Sequence, residues 1–156
     1  MNLPNSTLLV LMGLLTFALA GSGPAHATLG EGSDSIAKDR KALSAVKRAT
    51  TSHAKYSVQE VASDATVVRE FLTPSGVVFA IAWKGLVPPD LTVLLGSYFD
   101  EYKEAKRQLP RKHGQRRSRV KGDRVVVETW GHMRNLQGRA YDPALVPTGV
   151  RIDEIH

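Results

Sequence analysis

The sequence predicts an α+β domain: a small antiparallel sheet that meanders around a hairpin at residues 66–85, packed with one main helix over about 91–108 and a shorter N-terminal helix. Three observations predict it. Residues 77–84 alternate large Val77, Phe79, Ile81 and Trp83 with smaller or polar Val78, Ala80, Ala82 and Lys84, the period of a strand. Residues 91–108 carry Leu91, Leu94, Leu95, Tyr98, Phe99 and Tyr102 at helical spacing, which makes one broad apolar face. Past the first segment no long apolar run recurs.

That first segment is set aside before the fold is read. Residues 8–20 form an apolar run, followed by Ala25-His26-Ala27, a small-x-small cleavage pattern. The run falls short of the roughly 20 residues that span a bilayer. It reads as a secretory signal over residues 1–27, and the chain is expected to be exported, periplasmic or secreted, after cleavage near Ala27; the alternative reading is an uncleaved N-terminal anchor. Residues 28–156 then form a single domain with no further transmembrane helix. The chain contains no cysteine. A disulfide framework, a thiolate metal site and lipidation of a cysteine after the signal are excluded, so the fold rests on its core alone.

Each element has a local reason. Ser33-Asp34-Ser35 offers helix caps, and Ile36, Leu43 and Val46 fall near one side of a helix from Ser35 to about Arg48. Lys55–Val61 and Ala65–Thr73 read as strands joined at Ser63-Asp64. Thr73-Pro74-Ser75-Gly76 suits a type I turn with Gly76 in the left-handed conformation of a bulge. That turn sets Thr73 opposite Val77, Phe71 opposite Phe79, Arg69 opposite Ile81 and Val67 opposite Trp83. Phe71, Phe79, Ile81 and Trp83 are thereby expected on one face. Ala80 and Ala82 leave the other face open to a helix, and the face that the main helix covers is left open. Pro88-Pro89 breaks the sheet, Asp90 caps the main helix and Pro110 ends it. Arg124–Trp130 and Met133–Ala140 read as further strands, and Val150–Ile152 as a short edge strand.

Charge is unevenly placed. The formal net charge is +6, and residues 111–121 hold six Lys/Arg and no acid, so the rest of the chain is balanced. Read as a loop, this run makes Arg111, Lys112, Arg116, Arg117, Arg119 and Lys121 a candidate contact for a polyanion. Lipid headgroups, lipopolysaccharide phosphates and acidic polysaccharide are the natural partners of an exported chain. The run carries no interleaved aromatic, and nucleic acid is a poor candidate. The bland alternative is a solvated loop.

Two further constellations stand out. Glu60 and Arg69 fall on neighbouring strands, with Val58 opposite Arg69 and Glu60 diagonal to it. With Trp83 they form a candidate ligand pocket, or a structural ion pair at the edge of the core. His132-Met133 pairs an imidazole with a thioether, a weak copper candidate, but no spacing supplies a second ligand. The chain shows no nucleophile elbow, zinc-protease motif, phosphate-binding loop or dinucleotide fingerprint. No cofactor is implied, and a non-enzymatic envelope accessory or binding domain is favoured over a small hydrolase or copper protein using His132.

Wording along the chain adds a resemblance. Ala27-Thr28-Leu29-Gly30-Glu31, Tyr56-Ser57-Val58-x-Glu60 and Val67-Val68-Arg69-Glu70-Phe71 come first. Val78-Phe79-Ala80-Ile81-Ala82-Trp83-x-Gly85, Pro89-Asp90-Leu91, Leu94-Leu95-Gly96-x-Tyr98-Phe99, Gly131-His132-Met133-Arg134 and Gly138-Arg139-Ala140-Tyr141 follow. Together they resemble an uncharacterised family of exported Gram-negative bacterial proteins, domain of unknown function 2844. The resemblance spans essentially all of residues 28–156. It implies a one-domain exported protein and supplies no activity, ligand or site residue; the segment 103–121 is not part of the shared wording.

Overall fold

The computed structural model describes residues 29–32, 46–110, 114 and 116–156. The expected signal, residues 1–27, lies outside them, as do residues 33–45 and the basic pair Arg111 and Lys112. Four strands, β1 (Val46–Ser52), β2 (Ser57–Ala62), β3 (Thr66–Leu72) and β4 (Val78–Gly85), run as a meander. One helical stretch follows: α1 (Leu91–Leu95), a 3-10 turn (Gly96–Tyr98) and α2 (Phe99–Gln108). Then come β5 (Arg117–Lys121), β6 (Val126–His132), β7 (Asn135–Tyr141) and a closing 3-10 turn (Ile152–Glu154). All seven strands join one antiparallel sheet in the order β1-β2-β3-β4-β7-β6-β5.

The expected small sheet with two helices is therefore corrected. Among the described residues the sheet has seven strands, and the end of the expected N-terminal helix is strand instead: residues 46–48 belong to β1, which pairs with β2 from Val46↔Ala62 to Ser52↔Ser57, while the rest of that expected helix lies outside the described residues. A thin apolar stripe of three residues was a weak helix signal. At residues 46–48 a partner strand offered the backbone a ladder, bulged between Lys47 and Ala49. The main helix stands, capped as expected by Asp90, whose Oδ1 accepts from the Thr92 N–H at 2.8 Å. Gly96 interrupts it with a 3-10 turn. The expected edge strand at 150–152 is irregular chain leading into the 3-10 turn.

The central hairpin corrects the expected register. Gly76 takes φ 84°, and the Thr73 N–H donates to the Val77 carbonyl at 2.9 Å, as the turn chemistry requires. Leu72 then pairs with Val78, but Phe71 pairs with Ala80. Phe79 is the extra residue of a β-bulge, and every pair beyond it shifts by one: Arg69 meets Ala82 and Val68 meets Trp83. The Phe79 carbonyl accepts from the Asp142 N–H at 3.1 Å. The bulge splits the apolar set that simple alternation would gather. Ile81 and Trp83 join the core under the helix, while Phe71 and Phe79 join a second core on the opposite face.

The two faces are closed by different parts of the chain. On the helix face, Leu94, Leu95, Tyr98 and Tyr102 pack on Val68, Leu72, Ile81, Trp83, Val127 and Ala140. Gly138 is needed there because a Cβ would overlap the Trp83 ring, which lies directly on it. Leu29 is fully buried in the same core, and Gly30 and Glu31 hydrogen-bond to Val78 beyond the end of β7. On the other face, Phe71, Phe79, Ala80, Ala82, Val126 and Tyr141 are covered by Ile155 and by half-buried Leu145, Val146, Val150 and Ile152. Residues 142–156 thus form a tail laid across the sheet.

Candidate functional site

The basic run is a strand where it is described, and its alternation sorts the charges. Arg117, Arg119 and Lys121 share the tail face with their partners Trp130, Glu128 and Val126, while Val120 joins the helix-side core. β5 is an edge of the sheet. Cations on such a strand discourage edge-to-edge pairing with another sheet, so part of this charge has a structural use.

Across β5, β6 and β7 the register builds two rows. Arg119, Glu128 and Arg139 form the first: Glu128 Oε1 lies 3.3 Å from Arg119 Nε, and its Oε2 accepts from Arg139 Nε at 2.6 Å. Arg117, Trp130 and Gln137 form the second. The Arg139 guanidinium also lies 5.6 Å from the centre of the Trp130 ring. Arg117, Arg119, Glu128, Trp130 and Arg139 border an open hollow of about 570 Å³, closed on one side by Asp153 and His156 of the tail. One carboxylate, Glu128, is shared by two guanidinium groups. Among the described residues Arg117 makes no ion pair.

Of the expected polyanion contacts, Arg117 and Arg119 meet in this hollow. Lys121 lies further along β5, Arg116 lines a separate hollow on the helix face, and Arg111 and Lys112 lie outside the described residues. Trp130 and Arg139 were not singled out from sequence. The basic run contains no aromatic of its own, and only strand pairing brings one beside it. The available signal was the Arg124–Trp130 strand pattern, which could have been paired in register with the run before it.

Glu60 and Arg69 are brought together directly opposite one another, not diagonally, with Oε2 and Nε 3.0 Å apart. The pair is partly open to solvent, at 45% for Arg69 and 23% for Glu60. Arg69 Nη1 also donates to the His156 carbonyl at 2.9 Å. Arg139 Nη1 makes the equivalent contact with the Ile152 carbonyl at 2.6 Å. Both arginines therefore anchor the tail. Glu60, Arg69 and Trp83 border one hollow of about 260 Å³ together with Lys84 and His156, while the Trp83 side chain also belongs to the helix-side core. His132 ends β6 and Met133, 91% exposed, sits at the hairpin tip. Among the described residues no three His, Asp or Glu side chains gather to hold a metal ion.

The chain matches the model of the family described as "Protein of unknown function (DUF2844)" over residues 25–155. The chain belongs to this family. No curated protein and no solved structure matches it.

Family membership assigns no residue a role, and the most perturbed groups of this member hold the fold together. The Tyr98 hydroxyl donates to Asp142 Oδ2 at 2.7 Å, inside the protein. Burial first, and then this carboxylate, push the tyrosine up to about 12. The Arg124 guanidinium stacks 4.7 Å from the Tyr98 ring centre. Burial raises Glu101, but the N–H groups of Arg124 and Val125 and the Arg124 guanidinium outweigh it, and its carboxyl falls below the usual range. Glu101 thereby fastens α2 to the β5–β6 turn, and Tyr98 fastens the helical stretch to the end of β7. Glu70, only 2% exposed on β3, is a further buried carboxylate that no sequence pattern had marked.

Proposed function

We propose that this chain is an exported, non-enzymatic binding domain that holds an anionic component of the bacterial envelope on the arginine-lined part of its sheet. One observation carries the reading: Arg117, Arg119 and Arg139 converge with Trp130 on a hollow of about 570 Å³, with Glu128 shared between two of the arginines. Guanidinium groups present planar forks of donors to phosphate, sulfate or carboxylate. The indole offers a flat face for a sugar ring or other apolar surface beside the charge. Anionic polysaccharide or lipid headgroups supply both kinds of contact. The apolar run at residues 8–20 and the small-x-small site at Ala27 support export.

The test is retention on heparin, and on phosphatidylglycerol vesicles, by the protein as recovered from the cells that export it. Binding is expected to weaken as salt is raised and to fall at least tenfold in an Arg117→Gln, Arg119→Gln variant, with Trp130 fluorescence responding to the ligand. Arg116→Gln, on the opposite face, is expected to leave retention near the parent value. Equal losses from both variants would mean that net charge, not this hollow, does the binding.

A further inference from the structure

A second hollow, of about 370 Å³, opens on the helix face between α2 and the far strands. Its chemistry differs from that of the arginine surface. Its walls include Trp83 and Tyr102 from the helix-side core, with Val120, Val127 and Leu136 around them. Between these, Ser118 on β5 pairs with Thr129 on β6, and Thr129 pairs with Gly138 on β7. The short side chains of Ser118 and Thr129 leave space beside the Trp83 ring, which itself fills the room over Gly138. The volume lies in the range of small-molecule sites. At roughly 30 Å³ per water-sized group, it holds on the order of a dozen heavy atoms.

Its charge is one-sided. Lys106 reaches over the hollow, its Nζ 5.5 Å from the centre of the Tyr102 ring, and Arg116 lies on the β5 side. Neither makes an ion pair among the described residues. None of the described residues lining the hollow is acidic. An apolar cleft with two unneutralised cations at its rim is complementary to an apolar chain ending in one anionic head.

We infer that this hollow binds a medium-chain carboxylate, with the chain against Trp83, Tyr102 and Leu136 and the carboxylate between Lys106 and Arg116. The two cations attract the head and hold it at the solvent edge. The hydroxyls of Ser118 and Thr129 stand beside the chain's entry. The two hollows share Ser118, Thr129 and Trp130 at the β5–β6 edge, but Lys106 and Arg116 border this one alone, and the inference does not depend on the arginine surface binding anything.

The probe is dodecanoate, kept below its micelle concentration and titrated into the protein as recovered from its expressing cells. Calorimetry reads the stoichiometry. Trp130 also borders this hollow; a Trp130→Phe variant keeps a ring in that wall and leaves Trp83 as the remaining tryptophan, whose emission reports occupation of the hollow. One molecule is expected to bind and shift that emission. Lys106→Gln with Arg116→Gln is expected to weaken binding at least tenfold, and dodecanol to bind the parent at least tenfold more weakly than dodecanoate. Thr129→Leu fills the space and is expected to abolish binding. If that variant does not fold, Ser118→Leu on the exposed edge strand fills the same space. The inference is overturned if no saturable binding occurs, if dodecanol binds as well as dodecanoate, or if the filled variant binds unchanged. Binding to phosphatidylglycerol vesicles without binding to monomeric dodecanoate would also overturn it. Heparin retention is expected to be the same with and without the Lys106 and Arg116 changes, so the failure of either reading is seen separately.

Discussion

The helix face and the tail face of the sheet are lined by the same strands but closed by different means. A helical stretch covers the first, and its own backbone groups are satisfied before it packs. It contributes large side chains, and the join is reinforced at Tyr98–Asp142 and at Glu101. An irregular tail covers the second. Its carbonyls need partners from the sheet, and Arg69 and Arg139 supply them. The tail covers the middle of its face, and hollows open on either side, one of about 570 Å³ over β5–β7 and one of about 450 Å³ over β1–β3. His156 borders both. The difference teaches that a helix makes a continuous lid, whereas a tail held by long cations leaves charged side chains at the edge of the core. That edge is where a ligand can compete for them.

The comparison is broken most sharply in the two cores. Phe79→Ala, under the tail, is expected to cost about 3–5 kcal/mol, and Leu94→Ala, under the helix, about 2–5 kcal/mol, read from denaturant unfolding. A Phe79→Ala variant as stable as the parent would show that the tail face is not a packed core. A smaller effect is expected at the join on the helix face. Tyr98→Phe removes the hydrogen bond to buried Asp142 and is expected to cost about 1–3 kcal/mol. Its pH dependence has a definite sign. The folded tyrosine is pushed up to about 12 from 10.0, so its contribution is fully present below pH 10 and is lost as pH rises from there towards 12. The variant should lack that alkaline loss when melting temperature is followed against pH. The smallest effect belongs to the tail anchor. Arg69→Ala breaks a partly exposed ion pair and is expected to cost no more than about 1 kcal/mol. Its signature would be faster amide exchange near His156, with the helix-side core unchanged. A loss as large as that of Phe79→Ala would instead make the anchor part of the core.

Elements with a strong local signal were legible. Asp90 and Pro110 bracketed the helix, and Thr73–Gly76 declared its turn. The strands at 66–72 and 126–132 followed their alternation to within two residues. The end of the expected N-terminal helix, residues 46–48, proved to be strand because the stripe through Val46 was thin and β2 offered that backbone a ladder. The basic run was misread as a loop because Arg-Ser-Arg-Val-Lys alternates by only one buried residue, Val120, which says little until β6 lies beside it. At the candidate site, Arg117, Arg119, Glu60 and Arg69 were visible as charges in sequence, whereas Arg139 and Trp130 were not visible as their partners.

By itself the sequence determined the family, the turn that closes the central hairpin, the limits of the main helix and the concentration of cations in one segment. These are local properties, set by residue type and short-range spacing. Only the tertiary structure decided which face the helix covers, because a single bulged residue, Phe79, reverses the sidedness that alternation assigns to Phe71 relative to Ile81 and Trp83. It also decided that the cations stand beside an indole. That contact depends on pairing between β5 and β6, and strand pairing is fixed by the burial of whole faces, not by the residues that line the site.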